Sequence, residues 1–216
     1  MCSWRWTELE CCDYQKALEL QEKIKAERIQ NQCPNTALML EHFPVFTLGN
    51  RGGKEFLHVP EDILQKQNIS IIPTRRGGYI TYHAPGQLVV YPILSLPEMN
   101  MGVAQYVSCL EEVMIHVCHA NGIFVHRNPN RPGVWLQSKK VGSIGISVSR
   151  GVTSHGFALN VNLDITPFTW IAPCGFSDIS VTSLAIEAKK EIDMADIRTI
   201  AKEAISTVFN VSLQAR

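Results

Sequence analysis

Three stretches of this chain carry residue types that can do chemistry. The first is Arg75-Arg76-Gly77-Gly78-Tyr79-Ile80-Thr81-Tyr82-His83-Ala84-Pro85-Gly86-Gln87. Two adjacent glycines ahead of an extended run let backbone N–H groups approach a ligand closely, where a Cβ would stand in the way. Thr81 and His83 are two apart, so they share one face of a strand while Tyr82 takes the other. A hydroxyl, an imidazole and nearby N–H donors can hold a carbonyl or the polar head of an acyl chain. The same residues also fit a plain Gly-Gly turn entering a hairpin, with His83 satisfied inside the core. Neither a Walker loop nor GxGxxG spacing occurs, so no nucleotide cradle is indicated.

The second stretch is Lys139-Lys140-Val141-Gly142-Ser143-Ile144-Gly145-Ile146. A lysine that opens a strand of small and apolar residues can lose part of its hydration. Desolvation disfavours the ammonium form and makes the amine a usable base. Adjacent strand residues face opposite ways, so an inward Lys140 sends Lys139 to solvent. Full solvation is the ordinary fate of any one lysine. The third stretch is Pro173-Cys174-Gly175, where proline and glycine set a cysteine on a constrained turn. A turn presents the sulfur, and a nearby cation lowers a thiol pKa from about 8.5; a structural role fits the framing equally well. Between these lie Gly156 and Ala158, which share a strand face and leave room for a chain-like ligand or for tight packing. His116 and His119 stand at i,i+3, yet no third metal ligand accompanies them and solvent exposure suits them.

Positioning these residues requires strands and a few helices. Asp13 to Gln30 reads as a helix, with Asp13 as N-cap and Ala17, Leu18, Leu20 and Ile24 on its apolar side. Thr36 to His42, Pro44 to Gly49 and Ile69 to Pro73 read as extended. Tyr79 to Leu94 reads as strand, turn, strand, broken at Ala84-Pro85-Gly86. Met101 to Ala120 is a helix ending near Gly122, and Val141 to Val148 and Val152 to Leu163 are strands joined at Arg150-Gly151. Asp193 caps the last helix, where Ile197, Ile200, Ala201, Ala204, Ile205 and Val208 recur at helical spacing. The residues ahead of Asp13 read as a tail. This order predicts an α+β class, with a mixed, mostly antiparallel sheet flanked by helices. Strict β-α-β-α alternation is missing, which excludes Rossmann and TIM folds. With no repeat and no linker, residues 1–216 are expected to form one domain.

Composition narrows the function. The 216 residues include 20 basic and 20 acidic side chains, so the basic excess of a nucleic-acid binder is missing. The longest apolar run, Leu88 to Leu94, is far short of the roughly 20 residues of a membrane span. The first residues match neither a signal nor a transit peptide, which predicts a cytoplasmic protein without membrane partners. Seven cysteines with no C-x-x-C pair support neither a zinc ribbon nor a redox dithiol.

Taken together, these stretches resemble the octanoyltransferase family, the lipoyl(octanoyl) transferases called LipB in bacteria. The signature R-G-G-x-x-T-aromatic-H-x-P-G-Q is met by Arg76, Gly77, Gly78, Thr81, Tyr82, His83, Pro85, Gly86 and Gln87. Glu41 to Gly49, Gly133-Val134-Trp135, Lys140 with Ile144-Gly145, and Pro173-Cys174-Gly175 follow in the family's order, and the match runs from about Thr7 to Leu184. The resemblance implies a fold similar to the biotin and lipoate ligase catalytic domains. It implies octanoyl transfer from acyl carrier protein to a specific lysine of lipoyl domains, as the first step of endogenous protein lipoylation. The acceptors would be 2-oxoacid dehydrogenase E2 subunits and the glycine cleavage H protein. It places a thioester-forming nucleophile on Cys174 and its partner on Lys140. The acyl-binding wall would be Arg76, Gly77, Gly78, Tyr79, Ile80, Thr81, Tyr82, His83, Ser143, Ile144, Gly145, Gly156, Phe157 and Ala158. No cofactor is implied, neither ATP nor a metal. Two rivals remain at this point: an ATP-dependent lipoate ligase on the same fold, and a non-catalytic acyl- or carrier-binding module.

Overall fold

A computed structural model describes residues 2–172 and 180–215. Along the chain run β1 (Cys2–Cys12), α1 (Tyr14–Ile29), β2 (Thr36–His42), β3 (Val45–Leu48), α2 (Glu61–Lys66), β4 (Ser70–Pro73), β5 (Ile80–His83) and β6 (Gln87–Ile93). They are followed by α3 (Val103–Ala120), β7 (His126–Arg127), β8 (Gly133–Leu136), β9 (Lys139–Ser149) and β10 (Val152–Asn160). The last elements are β11 (Ser180–Val181), α4 (Leu184–Ala188), α5 (Met194–Phe209) and β12 (Val211–Ala215). Cys174 lies outside the described residues.

Local chemistry sets the helix ends. The Asp13 carboxylate accepts from the Lys16 amide at 3.1 Å and opens α1, and Asp193 accepts from the Ala195 amide at 2.7 Å and opens α5. Gly122, in the left-handed region at φ 75°, closes α3. Arg150 and Gly151 both take positive φ, as a tight hairpin turn demands, and join β9 to β10.

The large sheet has the order β12-β1-β2-β6-β10-β9-β8-β7, and β11 lies on β9. It is antiparallel from β2 through β7 and parallel where β1 meets β2 and β12. A small sheet, β4-β3-β5, stands beside it. The expected α+β class with a mostly antiparallel sheet is the one found. Two readings of the sequence need correction. Residues ahead of Asp13 form β1 rather than a tail, because Trp4 and Trp6 alternate inward and are fully buried. The two strands of Tyr79 to Leu94 do not pair as a hairpin: β5 pairs with β3, and β6 pairs with β2 and β10. Gly86 turns the chain from one sheet to the other at φ 85°, its amide donating to Glu41 and its carbonyl accepting from Val161, Asn162 and Leu163.

Strand alternation sorts the core onto two faces of the large sheet. Met39, Leu88, Val90, Phe157 and Leu159 face α3 and α5, whose Tyr106, Leu110, Met114, Ile197, Ala201 and Ile205 cover them. Leu38, Leu40, Val89, Tyr91 and Ala158 face Ala17 and Ile24 of α1. The α1 side is where the candidate site forms. Among the described residues no helix is long and apolar enough to cross a membrane.

Removing the α5 cap tests this account of the helix ends. Asp193→Ala should cost about 1 kcal/mol, read as a lower urea midpoint with an unchanged slope. An unchanged midpoint would mean that packing alone fixes the start of α5.

Candidate active site

The Gly-Gly loop is held from both sides. Arg76, nearly buried, donates from Nε to Thr47 Oγ1 at 3.1 Å, and from Nη2 to Thr47 O at 2.6 Å and Thr47 Oγ1 at 2.8 Å. Its Nη1 closes on Gly77 O at 3.0 Å. The amides of Gly49, Asn50 and Arg51 donate to the carbonyls of Tyr79, Arg76 and Gly78 at 2.9–3.0 Å. The Gly77 amide donates to Ile146 O of β9 at 2.8 Å, so it is engaged in docking the loop and not aimed at a ligand. Gly49 permits this packing: a Cβ there would stand 2.4 Å from Gly78 O.

Behind the loop, His42, His83, His155, Tyr14 and Tyr91 form one buried cluster. Ring centroids lie 4.8 Å apart for Tyr14–His42, 5.7 Å for Tyr14–His83 and 5.6 Å for His42–His83. The partners settle the proton positions. His83 Nδ1 lies 2.7 Å from Gln87 Oε1, and the Gln87 amide nitrogen donates to Tyr82 O and Asn160 Oδ1. Nδ1 therefore carries the proton, and Nε2 accepts from the Thr47 hydroxyl at 3.5 Å. His42 Nδ1 faces Cys12 O at 3.1 Å, so its Nε2 accepts from the Tyr91 hydroxyl at 2.7 Å. Burial holds these groups neutral. It lowers His42 to about 4 and His155 to about 3, and His83 well below the ordinary imidazole range, helped by neighbouring His42. Burial likewise lifts Tyr14 to about 12 and Tyr91 well above the usual phenol range.

A narrow cavity of about 40 Å3 opens against this cluster, well below the volume of a preformed small-ligand site, so an occupant has to part its walls. Arg76, Thr81, His83, Ser143, Ile144, Gly145, Gly156, Phe157 and Ala158 line it, together with Tyr14, Tyr91 and His155. Gly145 pairs directly with Gly156 across β9 and β10, which keeps side chains out of the slot. A Cβ on Gly145 would press on Arg76 Cδ at 3.1 Å, and one on Gly156 would stand 2.1 Å from Val90 O.

Of the residues expected in the acyl wall, Gly77, Gly78, Tyr79, Ile80 and Tyr82 do not line the cavity. Ile80 and Tyr82 point into the small sheet's own core with Phe46 and Phe168, and Tyr79 stacks edge-on with Phe56 beneath Arg51. Their part is to carry the loop. Lys140 is only 7% exposed, its Cε against Gly133 and its Nζ 5.2 Å from the Trp135 ring centroid. Lys139, on the opposite face, pairs with Glu187 at 3.0 Å. Lys140 lies between Trp135 of β8 and Val181 of β11. Ser180 and Val181 thus run directly alongside the two lysines.

Tyr14, Tyr91, His155 and Thr47 were not singled out from the sequence. Tyr14 opens a helix and Tyr91 sits in an apolar strand, positions that read as core. His155 carried one signal, an imidazole between small residues. His116 pairs with Glu112 at 3.4 Å and His119 is exposed; among the described residues no group of three or more metal-ligating side chains occurs.

Comparison with known proteins follows this geometry closely. A protein-family model described as the lipoyl protein ligase A/B catalytic domain matches residues 13–206. An octanoyltransferase of Desulfotalea psychrophila is 43% identical, covering 88% of this chain and 86% of that protein. A mitochondrial octanoyltransferase of Arabidopsis thaliana is 43% identical over 81% of this chain and 75% of that one. Among solved structures, a lipoate-protein ligase A bound with ATP superposes with a TM-score of 0.84 at 15% identity, covering 99% of this chain and 88% of that chain. The biotin protein ligase of Aquifex aeolicus gives 0.55 at 17%, covering 95% and 68%. At such identities the structural matches speak to fold alone.

The neutral histidines make stability depend on pH. Above about pH 6.5 they are uncharged in both folded and unfolded chains; below it the unfolded chain binds protons that the folded one refuses. Stability should therefore fall from about pH 6.5 toward 4, by up to about 1.4 kcal/mol per unit for each histidine. Urea midpoints at pH 7 and pH 5 check this. His42→Gln should flatten the dependence, and equal midpoints at the two pH values would refute the neutral cluster.

Proposed function

The chain belongs to the octanoyltransferase family of lipoyl protein ligase A/B catalytic domains, and from that membership we propose an acyltransferase that moves an octanoyl group from a carrier thioester to a lysine of a lipoyl domain. The observation that carries the reading is the slot over paired β9 and β10, floored by Ser143, Gly145, Gly156 and Ala158 and ending three positions along β9 from buried Lys140. A slot floored by small residues, its one cationic wall residue turned to Thr47 and Gly77, suits a hydrocarbon chain, and a buried amine nearby suits proton transfer.

Cys174 is the proposed nucleophile. Each of the other five thiols whose side chains are described has its pKa raised by burial, Cys118 to about 12, which makes them poor thiolates. Lys140 takes the proton of Cys174. The thiolate attacks the donor carbonyl, a tetrahedral oxyanion forms, and the carrier thiol leaves with a proton from Lys140, giving an acyl-enzyme. The acceptor amine then attacks that thioester and gives up a proton to Lys140, and the amide forms as the Cys174 sulfur is expelled. An amide lies below a thioester in free energy, so the transfer needs no ATP and no metal. The donor is acyl carrier protein; the acceptors are lipoyl domains of 2-oxoacid dehydrogenase E2 subunits and the glycine cleavage H protein. Of the basic residues available for an acidic carrier, Arg127 and Lys139 are already paired with carboxylates. Arg75 and Arg150 are exposed and, with Arg131, complete the proposed docking surface, so high salt should raise the Michaelis constant for the donor.

Mixing the protein with octanoyl carrier protein, without ATP, should add one octanoyl group, located to Cys174 by peptide mass spectrometry. Cys174→Ser should abolish the adduct with the fold retained. Lys140→Ala should move the pH at which iodoacetamide captures Cys174 upward. Labelling of another residue, or transfer only when ATP is present, would overturn the mechanism; the second result would favour a ligase.

A further inference from the structure

We infer that His155 is the partition that sets the length of acyl chain the cavity accepts, an inference that rests on the acyl-transfer reading above. His155 lines two spaces at once. Inside is the narrow slot; outside is an open cleft of about 510 Å3, bordered by Leu18, Glu22, Pro73, Thr74 and Arg75. His155 is the one residue that the two spaces share.

The position is also held in a conformation that a side chain resists. His155 has φ 57° in the middle of β10, a left-handed backbone that glycine takes freely and other residues do not. Regular alternation would turn His155 and Ala158 to opposite faces, yet the His155 ring meets Tyr14 and Tyr91 on the α1 face, where Ala158 also packs. The surroundings maintain the departure. The His155 amide donates to Gln21 Oε1 at 2.8 Å, and Gln21 is fully buried with no hydrogen-bond partner for its Nε2. Tyr14 OH meets His155 Nδ1 at 3.5 Å, and the Tyr91 ring stands edge-on at 6.2 Å. Strain kept where a glycine would relieve it marks a side chain retained for what it does.

The distances agree with an eight-carbon occupant. His155 pairs with Ile146, six residues along β9 from Lys140, a span of about 20 Å at the strand rise. An octanoyl chain extends for about 10 Å, and Lys140 shortens the gap by leaning along β9, its Cε reaching Gly133, which pairs with Ser143 at the slot. A longer chain meets the imidazole before its carbonyl reaches Lys140.

The experiment measures transfer from carrier thioesters of 8, 12 and 14 carbons by wild type, His155→Gly and His155→Asn, with melting curves to verify folding. Wild type should fall sharply beyond eight carbons. The glycine variant, which suits the backbone and opens the partition, should raise the 12-to-8 ratio at least tenfold; asparagine, which tolerates the left-handed region and still fills part of the gap, should lie between. An unchanged ratio in the folded glycine variant overturns the partition, and so does a wild type that transfers 12 carbons as readily as 8, with no variant needed. If wild type transfers no acyl group of any length, the acyl-transfer reading itself fails, a result distinct from transfer without length dependence.

Discussion

A guanidinium taken out of water has to find its hydrogen bonds inside the protein, and the way Arg76 finds them fixes the site. Its donors converge on Thr47 of the small sheet, leaving the Thr47 hydroxyl proton for His83 Nε2. That selects the tautomer whose Nδ1 donates to Gln87, which in turn donates to Asn160. Asn160 donates to Thr182 O at 3.0 Å, and the Thr182 amide donates to Lys140 O at 3.0 Å. One line of polar contacts thus runs from the Gly-Gly loop, across both sheets, to the backbone of the buried lysine. Each link has a fixed donor and acceptor, so the two sides of the cavity hold one relative position.

The wall beside that line is polar yet uncharged, and this combination has a cost. Three buried histidines and two buried tyrosines could each have been leucines at lower desolvation penalty. They pair among themselves and with main-chain carbonyls, which keeps them from being orphaned. What they provide is rigidity with shape. Aromatic and imidazole rings have few rotamers, so a cavity lined by them does not collapse onto its empty volume as a wall of methionines would.

Sequence showed the parts whose information is local. Helical periodicity and an aspartate cap gave α1 and α5, alternation gave β2 to its last residue, and the R-G-G and lysine stretches gave half of the cavity wall. Contributions that depend on distant pairing were not visible. The β1 strand reads as a tail until β2 and β12 flank it, because its charged residues alternate with its tryptophans. Tyr14 and Tyr91 join the site only because α1 crosses the same sheet face. Ile80 and Tyr82 sit inside a functional-looking motif, yet alternation sends them into the small sheet's core. A motif marks a segment, and the pleat decides which of its residues touch the ligand.

The chain shares its scaffold with a protein only 15% identical to it, while octanoyltransferases 43% identical match it over most of its length. Sheet order and helix placement survive wholesale exchange of side chains as long as apolar positions keep their period. A slot floored by paired glycines does not: a methyl group at Gly156 would meet the Val90 carbonyl, and one at Gly145 would displace the arginine on which the polar line begins. The scaffold therefore tolerates many sequences, and this cavity tolerates few. Positions 145 and 156 are accordingly where packing and function impose the same demand, and no compensating change elsewhere in the sheet can restore the space that a side chain there would remove.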